Sequence, residues 1–321
     1  MYDVTAIGEL LIDFAHRSDD AAGYPILAAN PGGAPCNLLA SLSAYGCKTA
    51  FLGKVGADSF GQLLAGTLKT VGIETSGVIF DPEVFTTLAF VTIDAQGNRD
   101  FSFARKPGAD TRLRFEELKL ELIDDCRDFH FGSLSLTDEP ARTATRRAVV
   151  YAKEKGKLIS FDPNLRRPLW ADLEQARQQI LWGLEQADIV KISDEEIDFL
   201  WQDCAPAEAA MRLHEKLGVV IVFITLGQNG CYYSGNGNAG WIANPQGIHT
   251  IDTTGAGDIF GGAALSQVLK AGKPLDRLTD SELCRAARFG CAAANLSTEK
   301  SGGISSVCPL SEVERLMEQA F

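Results

Sequence analysis

Six apolar, β-branched runs recur along the chain, with helical spacing between most of them. The runs are VTAIG (4–8), TAFLGKV (49–55), DFHFGS (128–133), KLISFD (157–162), DIVKIS (188–193) and VVIVFITLG (219–227). The helical stretches are PCNLLASLSAYG (35–46), SFGQLLAGTLKTVG (59–72), PARTATRRAVVYAKEKG (140–156), LEQARQQILWGLEQ (173–186) and PAEAAMRLHEKLG (206–218). Several end at a glycine, the usual helix stop. Strand alternating with helix implies right-handed βαβ units, hence an α/β fold around a mainly parallel sheet flanked by helices.

One region breaks the rhythm. TTLAFVTIDAQGNRDFSFAR (86–105) is two strand-like runs around the polar turn AQGN (95–98), which predicts a hairpin. A second extended piece, YPILAANPGG, lies at 24–33. Together they predict a small sheet beside the main one, either a lid over its C-terminal edge or a surface decoration. Beyond residue 250, DTTGAGDIFGGAALSQVLKAG (252–272), SELCRAARFGCAAANLS (281–297) and LSEVERLMEQAF (310–321) read as helices. With 321 residues and no repeat or long linker, one large domain or two modest ones are expected.

Composition removes several classes. The 42 acidic residues outnumber the 30 basic ones, a net charge of −12 that disfavours a general nucleic-acid surface. An anionic substrate must therefore be held by local donors. No apolar run approaches the ~18 residues of a membrane span. The opening MYDVTAIGELLIDF reads as a first strand, not a signal peptide. Cysteines 36, 47, 126, 204, 231, 284, 291 and 308 form no CxxC pair, and histidines 16, 130, 214 and 249 show no HxxxH spacing. A zinc or iron–sulfur site is not expected, and reduced, buried thiols in a cytoplasmic protein are.

The stretch DTTGAGDIFGG (252–262) concentrates small residues at the start of a helix. Such residues let backbone N–H groups turn toward one point, where the helix dipole adds positive charge. That suits a phosphate or a developing anion. Asp258 then reads either as a helix-capping acid or as a base beside an anion site. The stretch is not a dinucleotide fingerprint, since Phe260 takes the third glycine position, and no GK in the chain is followed by Ser or Thr as a P-loop needs.

DTTGAGDIFGG resembles the C-terminal signature of the ribokinase-like (PfkB) sugar kinases, D-T-x-G-A-G-D. GGAPCNLLASLSAYG (32–46) resembles their N-terminal glycine signature, and FLGKVGADSFGQLL follows in family order. FSFARKPGAD (101–110), HFGSLSL (130–136), SFDPNLRRPLW (160–170), ADIVKISDEEIDFL (187–200) and TLGQNGCYY (225–233) narrow the resemblance to the fructokinase branch. The resemblance implies a Rossmann-like domain over 1–321 with a β-sheet lid from about 12–33 and 86–106.

It also implies roles. Asp258 would accept a sugar hydroxyl's proton as that oxygen attacks the γ-phosphate of ATP, with Gly255, Ala256 and Gly257 as the anion hole. An aspartate's reference pKa is near 3.9, and a helix N-terminus is expected to lower it. Asp13 would accept from a sugar diol, beside Gly32, Gly33 and Asn37. Arg105 would reach from the hairpin toward sugar or phosphate. Phe103 would cover the sugar or pack within the lid. Arg166 would clamp phosphate, while Asp162 and Asn164 order their loop or touch the sugar. In KISDEE, Ser193 departs from the family Asn and Glu196 keeps the Glu, which would help hold Mg²⁺ through water. Lys191, Ser193, Glu196, Thr225, Gly227, Gly230 and Asn295 would form the nucleotide side. Asp252 and Thr254, with KSGGISS (300–306), would hold a monovalent cation such as K⁺.

The activity implied is ATP-dependent phosphorylation of fructose. The alternatives are a kinase for another sugar or sugar acid (ribose, 2-keto-3-deoxygluconate) or a non-catalytic sugar sensor. A sugar-acid kinase would need a cation near the substrate carboxylate. Leu88, Phe90 and Phe101 suit either a lid-to-lid homodimer or packing over the site.

Overall fold

The computed structural model of the chain describes residues 1–93 and 99–321. The first strand, β1 (Tyr2–Ile7), ends before Gly8, and β2 (Leu11–Asp19) with β3 (Pro25–Gly32) departs for a second sheet. The stretch 1–14 is therefore two strands in two sheets. The elements α1 (Ala34–Ala44), β4 (Thr49–Gly56), α2 (Ser59–Thr70) and β5 (Ile73–Asp81) return to the larger sheet. The hairpin β6 (Leu88–Ile93) and β7 (Arg99–Ala104) completes the second sheet, while the predicted turn AQGN lies outside the described residues. Next come α3 (Glu121–Asp124), β8 (Cys126–Gly132), α4 (Ala141–Glu154), β9 (Leu158–Asp162), α5 (Leu173–Gln186), β10 (Ile189–Ser193), α6 (Asp194–Trp201), α7 (Pro206–Leu217) and β11 (Ile221–Thr225). The chain ends with β12 (Cys231–Gly235), β13 (Asn238–Ile242), α8 (Ala256–Lys270), α9 (Asp280–Ser297) and α10 (Leu310–Ala320).

Among the described residues the larger sheet runs β13-β12-β11-β10-β9-β8-β1-β4-β5 and the smaller one β3-β2-β6-β7. From β11 to β5 every pairing is parallel; only β12 and β13 add antiparallel edges. Parallel strands buried on both faces must be largely apolar on both parities, and these are except on β8 and β9, where one parity carries the buried Asp128, His130 and Ser160. Phe129, Phe131, Ile159, Phe161, Val190, Ile192, Val222 and Ile224 pack with α4, α5 and α7. Val4, Ala6, Phe51, Ile189, Ile221 and Phe223 face α1, α8 and α9. Truncating a fully buried ring such as Phe131 would cost about 3–5 kcal/mol. Among the described helices, none is long and apolar enough to cross a membrane. Six of the eight unpaired cysteines are buried, and Cys204 and Cys284 are half-buried.

The chain passes between the sheets four times, and all four passages share one neck. Glu9 Oε1 accepts the amide of Ala34 at 2.7 Å, joining the way out to the way back. Ile12 N donates to Thr87 O at 3.2 Å, and Thr87 Oγ1 donates to Asp110. Arg105 completes the neck. Its Nε donates to Asp110 Oδ2 at 2.8 Å, Nη1 to Thr137 Oγ1 at 2.8 Å, and Nη2 to Leu134 O at 2.9 Å. One face of the small sheet carries Phe14, stacked on Phe90 at 5.2 Å and edge-on to Phe60 of α2 at 5.7 Å. Leu88 is half-buried against the body's core. These two hairpin residues thus pack within the chain; the side chain of Phe101 lies outside those described.

Candidate active site

The helix α8 starts at the stretch of small residues. Its cap is Gly255, at φ 74°, a left-handed conformation that glycine adopts at no steric cost. A side chain there would also meet Gly303 Cα at 2.9 Å. Asp258 is the third helical residue and does not cap its own helix. Its carboxylate is gripped from outside, Oδ2 by Asn37 Nδ2 at 2.8 Å and Oδ1 by Asn164 Nδ2 at 2.9 Å. Among the described residues, the amides of Gly255, Gly257 and Asp258 find no acceptor, so three donors at this helix N-terminus stay open, whereas Ala256 N, expected beside them, is spent on Thr253 O at 3.2 Å. Burial raises the Asp258 pKa, against the downward pull of Asn37, Lys191 and Arg166. The lowering expected from the helix end is therefore outweighed by desolvation.

The loop after β9 supplies the second grip. Asn164 sits at φ 44°, a strained position that Asn tolerates better than most residues. Its amide donates to Asp162 Oδ1 at 3.2 Å. Asp162 also pairs with Lys191 Nζ at 3.1 Å, and Lys191 lies under Gly257, where a methyl group would sit 3.0 Å from Nζ. Burial lifts Asp162 to about 7, while its carboxylate neighbours raise Lys191. Asp162 thus organises its loop. Ser193 caps α6, accepting from Glu196 N at 3.2 Å, and Glu196 Oε2 accepts from Ser193 N at 2.8 Å, a reciprocal capping box. Glu196 Oε1 accepts from Leu165 N at 2.8 Å, stitching this helix to the Asn164 loop. The Ser in KISDEE is thereby explained locally. Arg166 makes one long contact, to Leu165 O at 3.5 Å, and its guanidinium opens into a cleft of about 550 Å³ shared with Glu195 and Glu196.

The small sheet contributes a single cross-strand row. Asp13 on β2 is opposite Asn30 on β3 and Ala89 on β6, and Ala89 is opposite Phe103 on β7. Asp13 leans on Gly32, where any side chain would collide with Oδ2. Burial pushes Asp13 to about 7, while Arg166 pulls it down. Gly33 caps α1 and Asn37 lies in its first turn. Arg105 differs from expectation. It is buried with its donors spent on the neck, so it anchors the sheet instead of reaching into the cleft.

Thr225 ends β11 in register with Ser193, and the turn Gly227–Asn229 follows, closed by Gly230 N to Gly227 O at 3.3 Å. Asn295 Nδ2 donates to Asn244 Oδ1 at 2.8 Å, and Asn244 Nδ2 to Gly227 O at 2.9 Å. Asn244, which lies in no recognisable motif, links these residues into one wall. Asp252 Oδ1 accepts from Thr254 N and Oγ1 at 2.9 and 2.7 Å; Oδ2 accepts from Ser301 Oγ and Gly302 N at 3.1 Å. Sequence reasoning also missed a buried file below Asp162. Ser160 Oγ donates to Asp128 at 2.6 Å and lies 3.0 Å from His130 Nδ1. Burial holds His130 near 3, hence neutral, and lifts Asp128 to about 8.

A model of the pfkB family carbohydrate kinases matches residues 1–309. Fructokinase-1 of Zea mays is 41% identical over 320 residues, which cover 99% of this chain and 98% of that protein. The fructokinase of Xylella fastidiosa with bound ATP has a TM-score of 0.90 at 28% identity, covering 99% of both chains. The fructokinase of Vibrio cholerae O395 with fructose, ADP and calcium bound has a TM-score of 0.87 at 26% identity, also covering 99% of both.

Proposed function

The chain belongs to the pfkB family of carbohydrate kinases, and from that premise we propose that it is an ATP-dependent fructokinase. D-fructose and ATP give fructose 6-phosphate and ADP. The observation that carries this is Asp258, gripped by two carboxamides beside the open amides of Gly257 and Asp258. The sugar's 6-oxygen bonds to the γ-phosphorus, the bond from that phosphorus to the β–γ bridging oxygen breaks, and the hydroxyl proton passes to Asp258. A carboxylate raised by burial is a better base than a free one, and its two grips aim it. The open amides, with Lys191 beneath Gly257, meet the charge on the moving phosphoryl. The unspent guanidinium of Arg166 clamps phosphate.

The donor set fits magnesium delivered with the nucleotide. Mg²⁺ takes one or two carboxylates plus phosphates and water, and Glu196 borders the Arg166 cleft. Both Glu196 oxygens already accept an amide, so Glu196 would hold the ion through remaining lone pairs and water. Bound there, it would neutralise charge between phosphates. A monovalent cation at the 252–254 turn would take carbonyl oxygens, because Asp252's carboxylate already serves four donors. Thr225, Gly227, Gly230 and Asn295 form the nucleotide wall.

Fructose is favoured over a sugar acid by Arg105, whose donors are spent at the neck and so are not offered to a substrate carboxylate. The second sheet, about 12–33 and 86–106 of a single domain, acts as the lid. Exposed Ile26 and Leu27 on its outer strand support a lid-mediated homodimer. ATP as co-substrate supports a cytoplasmic setting. The test is ADP release with ATP and Mg²⁺ across fructose, ribose, tagatose, glucose and 2-keto-3-deoxygluconate. Preference for fructose is expected; a stronger preference for any other sugar overturns the substrate, and turnover of none overturns the kinase.

A further inference from the structure

Asn30 stands out in the row that faces the cleft. It is half-buried on β3, directly opposite Asp13 in the antiparallel register. Directly opposed residues share a face with Cβ atoms about 4.5–5.5 Å apart. Asp13 leans the other way, onto Gly32, two residues along the same strand. Among the described residues the Asn30 carboxamide has no hydrogen-bond partner, whereas the carboxamides of Asn37 and Asn164 across the cleft are both engaged by Asp258. Its far side is fixed by the 301–303 loop, where a methyl group on Gly302 would sit 3.5 Å from Asn30 Cβ and Cγ. Gly302 N is in turn tied to Asp252. An unspent carboxamide is thus held between Asp13 and the loop that flanks the anion site.

The row has a polar end and an apolar end. Asn30 and Asp13 form the first; Ala89 and Phe103 form the second. A sugar has the same division, hydroxyls at its edge and C–H groups on its face.

We infer that Asn30 is a specificity-determining residue, its carboxamide reading one sugar hydroxyl next to the pair held by Asp13. The carboxamide can accept one hydroxyl proton and donate to that oxygen or its neighbour at any pH, which Asp13 cannot once it is ionised. Asp13 therefore selects a diol, and Asn30 fixes the configuration of the next carbon. The inference rests on the fructokinase reading.

The experiment compares wild type with Asn30→Ala and Asn30→Ser on D-fructose and its C3, C4 and C5 epimers, D-psicose, D-tagatose and L-sorbose. In Asn30→Ala, kcat/KM for fructose should fall about tenfold, the size of one lost neutral hydrogen bond. The loss should appear in the sugar KM, with the ATP KM unchanged. The penalty that wild type imposes on one epimer should shrink by the same factor, and the other two penalties should not. Asn30→Ser, which keeps a donor and an acceptor, should recover part of the discrimination and controls for folding. Equal penalties for all epimers in wild type and both variants would overturn the assignment while leaving the kinase intact. No turnover of fructose by wild type would overturn the kinase reading, and the inference with it.

Discussion

At the α8 end of the cleft, Asp258 is held by Asn37 and Asn164, Asp162 by Lys191, and Glu196 by two amides. Facing it on the small sheet, Asn30 keeps an unused carboxamide and Asp13 rests on a glycine. The first end is assembled before any substrate arrives, as electrostatic preorganisation for phosphoryl transfer requires. The second is completed only by a sugar. The difference separates the reaction from the choice of sugar: one end can be kept while the other is varied.

Asp258→Asn should break the first end outright. Turnover should drop about 10²–10⁴-fold while ATP binding by calorimetry persists; near-normal turnover would remove the base assignment. Arg105→Met should leave Asp110 as a buried, unpaired charge and cost about 3–5 kcal/mol in chemical denaturation. A rise in sugar KM with unchanged stability would instead make Arg105 a substrate ligand.

Asp13→Asn sharpens the contrast through pH. Asp13 in the fold keeps its proton up to about 7, whereas an unfolded aspartate loses it near 3.8. Folding therefore takes up a proton between those values, and this group's contribution to stability falls as pH rises through the window. The ligand-free variant should gain up to about 4 kcal/mol relative to wild type at pH 8 compared with pH 4. Equal melting differences at both pH values would refute this. The smallest effect is expected for Asn37→Ala. It removes a bond that lowers the Asp258 pKa, so the acid limb of the kcat/KM profile should move to higher pH, and an unmoved limb would remove Asn37 from the charge balance at Asp258.

The parallel sheet, most of its helices and the small sheet were legible because periodicity and glycine stops are local signals. Three strands were not. β5, IETSGVIFD, is an edge strand with half-buried polar positions, which blurs the pattern. β12 and β13 meet at GNGN (235–238), where Asn236 and Gly237 both have positive φ, a hairpin turn that carried a usable signal. The split of 1–14 was hidden because both strands are apolar and only three residues part them. In the site, Asp258, Asn37 and Asn164 converge although 221 and 94 residues separate the first from the other two. Family motifs could name them, but periodicity could not. The burial of Arg105 at the neck is not legible, because hairpin position says nothing of side-chain direction. Asn30 and Asn244 lie outside any motif, and only strand register and the loop after β13 reveal them.

The neck joining the two sheets has a consequence for how such a chain can change. Every crossing runs past Glu9, Thr87, Asp110 and Arg105. Residues beyond that gate can be lengthened, shortened or exchanged as a cassette without moving a strand of the larger sheet. New substrate ranges can therefore be acquired by remodelling an appendage, with the inherited phosphoryl-transfer machinery left untouched.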